Sequence, residues 1–302
     1  MFPIFLRTIK NKRTAIIAYI VSGIAFLLMY IPIYPSFASS GKQLVEIMKN
    51  YPQGFLKAFG IEDIAQAFLS LEGYLSTEHF GFVWPLVLIF LALSFAGNSI
   101  AGEIEKGTME VVLSQPISRL KIYFGKYLGG LGAIVLFVTT SIFASIPIAA
   151  IFNVHYVAKG YIYMTILGVL FGIAIYGLAM LCSSFASDKG KANFMTGGVL
   201  IAMYVLNILS GLKSNLDDLK YLSFFHYFNA SGALLNYKID SIAILVFVLT
   251  TIIATTLGCS QSSLRTIRQP PESAAILFQA EEIASFHSQR RESCEQVTLK
   301  CF

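Results

Sequence analysis

Charge is scarce in this sequence, and six long stretches contain none. Charged residues make up 13% of the 302 residues, against about a quarter in an average soluble domain. The uncharged stretches cover residues 14–41, 79–102, 127–158, 160–187, 192–212 and 241–264. Each exceeds the roughly 20 residues with which an α-helix crosses about 30 Å of hydrocarbon. Because a charged side chain at the bilayer centre costs about 2.5–3.5 kcal/mol, the pattern predicts an all-α, polytopic membrane protein with six transmembrane helices.

The usual residue patterns of metal and redox sites are missing. The four cysteines form no CxxC pair and show no zinc spacing. None of the four histidines has an HExxH-type partner. The net charge of +5 does not by itself indicate nucleic-acid binding. We therefore expect no metal, no cofactor and no nucleic acid to be bound by this chain.

A phosphate-binding loop is also missing. The P-loop of ATPases is rich in glycine and ends in Gly-Lys followed by Ser or Thr. The three Gly-Lys pairs of this chain are followed by Gln43, Tyr127 and Ala192, and none has a glycine five positions before its own glycine. We expect no ATP hydrolysis by this chain through that route.

The predicted spans also lack acid–base groups. No charged residue lies inside any of the six stretches, so no carboxylate pair is available there for catalysis. A proton- or sodium-driven carrier usually has an acidic residue in a helix as its coupling site. We therefore expect a non-catalytic protein powered from outside the membrane, and a membrane enzyme is the less favoured alternative.

The distribution of Lys and Arg predicts the orientation of the chain. With the N-terminus inside, the short inner segments before residue 259 hold ten Lys or Arg and four acidic residues. The longer outer segments hold seven Lys and eight acidic residues. A high density of Lys and Arg in short loops marks the cytoplasmic side. Both termini are therefore predicted to lie in the cytoplasm, with the protein in the cell membrane.

The ends of the first predicted span have their own signals. Residues 1–13 alternate apolar and basic side chains, which suits an amphipathic helix on the inner membrane surface. A frayed basic terminus that only sets the topology is the alternative. Pro32 and Pro35 are predicted to close the span, because proline lacks the donor that a continuing helix needs.

The long segment 36–80 is predicted to lie outside. Its apolar residues recur at helical spacing, which indicates one or two short amphipathic helices on the outer face. Trp84, with Tyr74, Phe80 and Phe82 around it, is predicted to form an aromatic belt where the chain re-enters the membrane.

The segment between the second and third stretches is the most distinctive. Three carboxylates extend the second span, Gly107 breaks this extension, and Thr108 can cap a short helix over residues 109–114 that Pro116 stops. Basic residues near the start of span three, including Lys126, can extend to the interface. We expect a short helix parallel to the membrane on the cytoplasmic side, and an ordinary linker is the alternative.

The string of residues 103–119, E-I-E-K-G-T-M-E-V-V-L-S-Q-P-I-S-R, followed by Gly125-Lys126, resembles the membrane subunit of type-2 ABC exporters. The resemblance covers roughly residues 1–258 and includes the six-span layout and the segment 221–229 before the last span. It implies the permease subunit of an ATP-driven exporter, which forms the translocation path. It also implies a separate ABC ATPase subunit that binds ATP and Mg²⁺, and a second permease subunit, identical or paralogous. A subunit that anchors an ATPase for sensing, without transport, is the main alternative.

By the same resemblance, the short helix is the coupling helix that docks into a groove of the ATPase. The residues implied in that contact are Glu103, Glu105, Gly107, Thr108, Glu110, Leu113, Pro116, Ser118 and Arg119. The carboxylates would pair with basic residues of the ATPase, and Leu113 would fill the groove. Glu103 and Glu105 could equally be solvated surface charges.

The composition changes after residue 258. Residues 259–302 hold both signs of charge, a Gln-Pro-Pro sequence and no sustained apolar period. We therefore divide the chain into a transmembrane domain, 1–258, and a tail, 259–302, that we predict to be disordered and non-homologous. A regulatory cytoplasmic extension is the alternative.

Overall fold

A computed structural model describes residues 2–48, 50–51, 70–108, 118–212 and 214–268, and every secondary-structure element in these ranges is a helix. Six helical segments are long and apolar enough to cross a membrane. They are Ile4–Ser39, Leu71–Gly97, Leu120–Ile151, Ala158–Phe185, Lys189–Leu212 and Ser241–Ser262, numbered here span one to span six. The prediction of an all-α protein with six transmembrane helices is confirmed.

The helices of the spans and of their connections are, in chain order, α1 (Phe2–Met48), α2 (Leu71–Tyr74), a π-helix (Leu75–Val83), α3 (Trp84–Gly97), α4 (Ala101–Glu105), α5 (Arg119–Phe143), α6 (Ser145–Ile151), α7 (Ala158–Phe185), α8 (Lys189–Leu212), a 3-10 helix (Ser214–Leu222), α9 (Phe224–Tyr227), α10 (Ala230–Leu234) and α11 (Ser241–Arg268). Span two joins α2, the π-helix and α3 without a break. Span three joins α5 and α6 through Ala144.

Span one differs from its prediction at both ends. The chain is one helix from Phe2 to Met48, so the basic segment expected as a separate interfacial helix forms the first turns of the same helix. No glycine or proline lies between residues 4 and 22 to end it. The prediction that Pro32 and Pro35 close the span is wrong, since both lie inside the helix. Proline has a helical φ of about −65°, so each removes one backbone hydrogen bond while the adjacent turns keep theirs.

Span two begins eight residues before the predicted stretch, at Leu71. Glu72 and Glu78 therefore lie in the helix, and the prediction of spans without charge is wrong at this end. Glu72 is only 6% exposed, and its Oε1 accepts a hydrogen bond of 2.6 Å from the backbone N–H of Val157, just before span four. A carboxylate can extend a span when the fold supplies such a donor. His79, expected at a span edge, is fully buried beside the Tyr30 ring.

The segment 36–80 is therefore shorter than predicted as a loop. Its first part, to Met48, continues α1, and its last part belongs to span two. Residues 52–69, which include the rest of the predicted amphipathic helices, lie outside the described residues.

Trp84 lies in the core and not in an interfacial belt. Its ring is fully buried and stacks between Phe137 at 5.9 Å and Phe228 at 6.0 Å, centroid to centroid. Its Nε1–H donates to Ser141 Oγ at 2.9 Å. The hydroxyl satisfies the one polar group of the indole, which is what burial of tryptophan requires. Trp84 therefore links span two to span three and to the segment before span six.

Contacts at glycines show the relative directions of the spans. The contacts are Gly168 against Trp84 and Val138, and Gly172 against Leu88 and Ile134. Spans two and four therefore run in the same direction, and span three runs opposite to both. Gly177 lies against Ala254, and Gly258 lies against Leu181, so span six is parallel to span four. Spans two, four and six thus run in one direction and span three in the other, as expected for consecutive spans joined by connections at alternating ends.

Span four is the centre of the bundle. It packs against spans two, three, five and six, and the side chains of Phe171, Ala174, Ile175 and Tyr176 are fully buried. Lipid tails are as apolar as the helix surfaces, so association of the helices depends on close packing. Glycines allow that packing because they let the backbones approach each other. The spans around span four therefore have outer faces that remain apolar and exposed.

Span six continues into the predicted tail. Its helix extends to Arg268, so the first ten residues assigned to the tail are helical. Residues 269–302 lie outside the described residues, and the disorder of that part stays a prediction.

We expect Gly160→Ala to destabilise the protein by about 1–3 kcal/mol, because the space at this glycine is already filled. A Cβ at Gly160 would collide with backbone atoms of Leu234, and its contacts with Cα and C there would be 3.1 Å. The backbone of Leu234 cannot rotate away as a flexible side chain can. The measurement is the midpoint of thermal unfolding of the detergent-purified protein.

Gly198→Ala is the matched control, because no atom lies within 4 Å of a Cβ built there. Its unfolding midpoint should stay at or above that of the wild type. Equal midpoints for the Gly160 and Gly198 variants would contradict the close contact between the start of span four and α10.

Candidate functional site

The structure describes six of the nine predicted site residues. Glu103 and Glu105 lie in α4, Gly107 and Thr108 in the turn after it, and Ser118 and Arg119 at the start of span three. Glu110, Leu113 and Pro116 lie in 109–117, outside the described residues, as does the predicted short helix. The site can therefore be described at its two flanks.

A three-residue turn joins span two to α4. The side chain of Asn98 donates to the carbonyl of Ser94 at 2.6 Å, and the hydroxyl of Ser99 donates to the carbonyl of Phe95 at 2.8 Å. These bonds satisfy carbonyls that the end of a helix leaves without partners. The first residue of α4, Ala101, donates its N–H to Ser183 Oγ of span four at 3.1 Å. The start of α4 is thus held by a neighbouring span.

Gly107 sets the direction in which the chain leaves α4. Its φ is +65°, in the left-handed region that favours glycine. The N–H of Thr108 then donates to the carbonyl of Glu103 at 3.1 Å, which closes the end of the helix. Thr108 is exposed, so the segment that follows starts at the surface. The N-cap role predicted for Thr108 depends on residues 109–114 and stays a prediction.

Glu103 is paired within the chain. Its carboxylate forms an ion pair with the ammonium of Lys126 in span three. The Lys126 side chain is only 9% exposed and the Glu103 side chain 25%. Lys126 Nζ also donates to the carbonyl of Ser99 at 2.9 Å. The expectation that Lys126 extends to the membrane interface is wrong, because these two acceptors hold its ammonium inside the bundle.

Glu105 is bound to span five. Its Oε2 accepts a hydrogen bond of 3.0 Å from the N–H of Lys189, the first residue of that span. The first N–H groups of a helix lack intrahelical partners, and a carboxylate is favoured near them. Asp188 caps the same helix: its Oδ1 accepts from the N–H of Lys191 at 2.8 Å. This backbone N–H, together with the Lys191 ammonium, holds the pKa of Asp188 below its usual value.

Small residues bring α4 close to spans four and five. Ala101, Ala186 and Ala192 are buried together. At the end of span two, Gly97 lies against Asn193 and Lys189 of span five. We call α4 with its partners Ser183, Lys126 and Lys189 the polar junction.

The polar junction lies at the basic end of the bundle. Thr8 of span one lies against Gly129 of span three, which places the basic N-terminal turns at the same end as Lys126. The alternating directions of the spans bring the start of span five and the end of span six to this end as well. Of the described residues, no group of three or more His, Cys, Asp or Glu could hold a metal ion.

Sequence reasoning missed the partners of the two carboxylates. Lys126 stands in the Gly-Lys pair that follows the motif, and its proximity to Glu103 could have been inferred only by assuming that spans two and three are neighbours. Nothing in the sequence marks Ser183 or the amide of Lys189 as a partner of α4. A serine near a span end is common, and every residue except proline has a backbone N–H.

Six apolar helices, whose consecutive members alternate in direction, define a polytopic membrane protein. The chain belongs to the ABC-2 family of transporter proteins, whose sequence model matches residues 5–261. It is accordingly the membrane subunit of an ABC transporter. Members of this family work in general with ABC ATPase partners. No curated protein matches the chain.

We expect Glu103→Ala to destabilise the protein by about 3 kcal/mol, because it leaves the ammonium of Lys126 buried without a countercharge. Replacing both partners by apolar residues, as in Glu103→Leu with Lys126→Met, should recover most of that loss. The measurement is unfolding of the purified protein in detergent by heat or denaturant.

Lys191→Ala is the control for this prediction. Its ion pair with Asp188, at 3.1 Å, lies at the surface, with 68% of the lysine side chain exposed. Surface pairs contribute about 0–1 kcal/mol. A loss of stability in Lys191→Ala as large as that in Glu103→Ala would show that burial of the Lys126 pair has no special importance.

Proposed function

We propose that this chain is the permease subunit of an ATP-driven exporter, and that a separate ATPase docks at the segment that follows α4. The observation that carries the proposal is the pairing of family membership with the polar junction. The family supplies the class of partner. At the polar junction, α4 contacts spans three, four and five, so movement of a docked ATPase would reach several spans at once.

The basic residues at one end of the bundle support an orientation. The end with the polar junction carries the basic N-terminal turns and the basic residues near the starts of spans three and five. Short segments rich in Lys and Arg are retained in the cytoplasm. The polar junction and both termini therefore lie in the cytoplasm, where ATP and the ATPase are found, and the protein lies in the cell membrane.

The docking residues fall into two groups. Glu103 and Glu105 already have partners within the chain, so their carboxylates hold the junction together. The contact with the ATPase falls to the segment between Gly107 and Arg119. There the carboxylate of Glu110 pairs with a basic residue of the ATPase, and Leu113 fills an apolar groove.

A second permease subunit fits the exposed faces of the bundle. In the most apolar part of span five only 17% of residues are buried within the chain, and in span one 22%. Facing copies of these spans would enclose a path between two subunits, identical or paralogous, with lipid on the outer faces. ATP binding would then close the ATPase dimer and shift the permease pair between two conformations, without a covalent step in this chain.

We expect Glu110→Arg to lower the amount of ATPase that co-purifies with the permease by at least tenfold, because it places a cation against a basic surface. The amount of permease in the membrane should not change. His155→Arg, an exposed position at the opposite end of spans three and four, is the control and should retain the ATPase fully. Undiminished retention in Glu110→Arg would count against docking at this segment.

The orientation has its own test. In a background with the four native cysteines replaced by serine, cysteine is introduced at Thr108 or at Asn153, two exposed positions at opposite ends of the bundle. A maleimide that cannot cross membranes should label the Asn153→Cys variant in intact cells. It should label the Thr108→Cys variant only after permeabilisation. The reverse result would place the polar junction outside and refute the exporter proposal.

A further inference from the structure

We propose that α4 transmits movement of the docked ATPase to span five through one hydrogen bond, with Glu105 as the positioning residue. This inference rests on the proposed function. It extends the mechanism beyond spans two and three, which flank the docking segment in sequence, to a span that is remote from it along the chain.

Two of the contacts of α4 make it part of a rigid unit. The Glu103–Lys126 pair joins it to span three, and the bond from Ala101 N–H to Ser183 Oγ joins it to span four. Lys126 and Ser183 are both buried. Span four is in turn packed against spans two and three, so α4 is anchored to these three spans.

The contact with span five is of a different kind. Glu105 is exposed, and its carboxylate reaches the first N–H of span five at 3.0 Å. Two further contacts lie around this bond. Gly97 lies against Asn193, and Ala101 lies near Ala192. This hydrogen bond lies at the surface, next to a buried contact of small side chains, and it links α4 directly to the first turn of span five.

Span five is also the span best suited to move. It has the smallest buried share of the six candidate spans, and large side chains on it are exposed, with Phe194 at 82%. A helix held by few buried contacts moves at lower cost than one in the core. Within the subunit, Glu105 therefore lies between the spans to which α4 is anchored and the span with the smallest buried share.

Glu105 has a specific role at the start of span five. Asp188 already accepts the hydrogen bond of the Lys191 amide, so local capping leaves the Lys189 amide to Glu105. Removing the Glu105 carboxylate takes away both the partner of this amide and the only described hydrogen bond between α4 and span five. The helix keeps its own cap, so it should fold while losing this hydrogen bond to α4.

The test measures movement of span five on ATP binding. Spin labels are placed on cysteines introduced at Leu128 in span three and Phe194 in span five, both exposed, in the cysteine-free background. The permease is co-purified with its ATPase in lipid nanodiscs, and pulsed electron paramagnetic resonance gives the distance distribution with and without ATP plus vanadate. The variants are Glu105→Ala, Glu105→Gln and, as control, Lys106→Ala.

In the wild type, ATP plus vanadate should shift the distance distribution. Glu105→Ala should bind as much ATPase as the wild type and show at least a fivefold smaller shift. Glu105→Gln keeps an acceptor oxygen at the same position and should restore the shift, and Lys106→Ala should show it in full. If the alanine variant does not insert, Glu105→Ser, whose side chain is too short to reach the Lys189 amide, takes its place.

The outcomes separate this inference from the function on which it rests. If the wild-type permease retains no ATPase, the proposed function fails, and this inference fails with it. If the ATPase is retained but span five does not move, or moves equally in Glu105→Ala, only the inference is overturned. A fall in thermal stability of Glu105→Ala and Glu105→Gln alike, with no change in movement, would assign Glu105 a purely structural role.

Discussion

The ammonium group of Lys126 has to be neutralised inside the bundle, and this requirement organises one end of the molecule. A charge with 9% of its side chain exposed needs both a countercharge and hydrogen-bond acceptors. Glu103 supplies the countercharge, and the carbonyl of Ser99 supplies one hydrogen-bond acceptor. Both lie just after span two, so the chain must turn at residues 98–100 and run as α4 along the ends of spans three and four. The start of the docking segment, the exposed turn at Gly107, takes its position from this pair.

The rest of the bundle depends on close contact between helices. Span four lies in the centre because its glycines accept large side chains from its neighbours, such as Trp84 at Gly168. At the opposite end, the buried carboxylate of Glu72 holds the start of span four by its bond to Val157. The two ends therefore use the same principle: a carboxylate at one end of span two or just after the other binds a group on or next to a neighbouring span. Between these ends the packing is apolar and tight, which makes spans two, three and four a rigid unit.

The sequence predicted the six spans well because a bilayer penalises charge strongly and over a fixed thickness. It predicted span ends less well, because an end is decided by local partners. Glu72 was placed outside the membrane segment on its charge, yet it lies in the helix, where the backbone N–H of Val157, just before span four, binds its carboxylate. Pro32 and Pro35 were read as a stop, yet the helix continues through them. Trp84 was assigned to an interface by its usual preference, and a hydroxyl on span three allowed it into the core.

By itself, the sequence determined the class of protein, the number of spans, the basic end and the segment resembling a coupling helix, because each follows from composition or from a contiguous motif. Only the tertiary structure decided which groups the carboxylates of that motif bind. Glu103 and Glu105 look alike in the sequence, as two acidic residues beside a glycine turn. In the fold one is paired with a buried lysine and the other holds the first amide of span five. That difference arises because spans three and five both lie beside α4, and such neighbours are brought together by packing between helices and not by their separation along the chain.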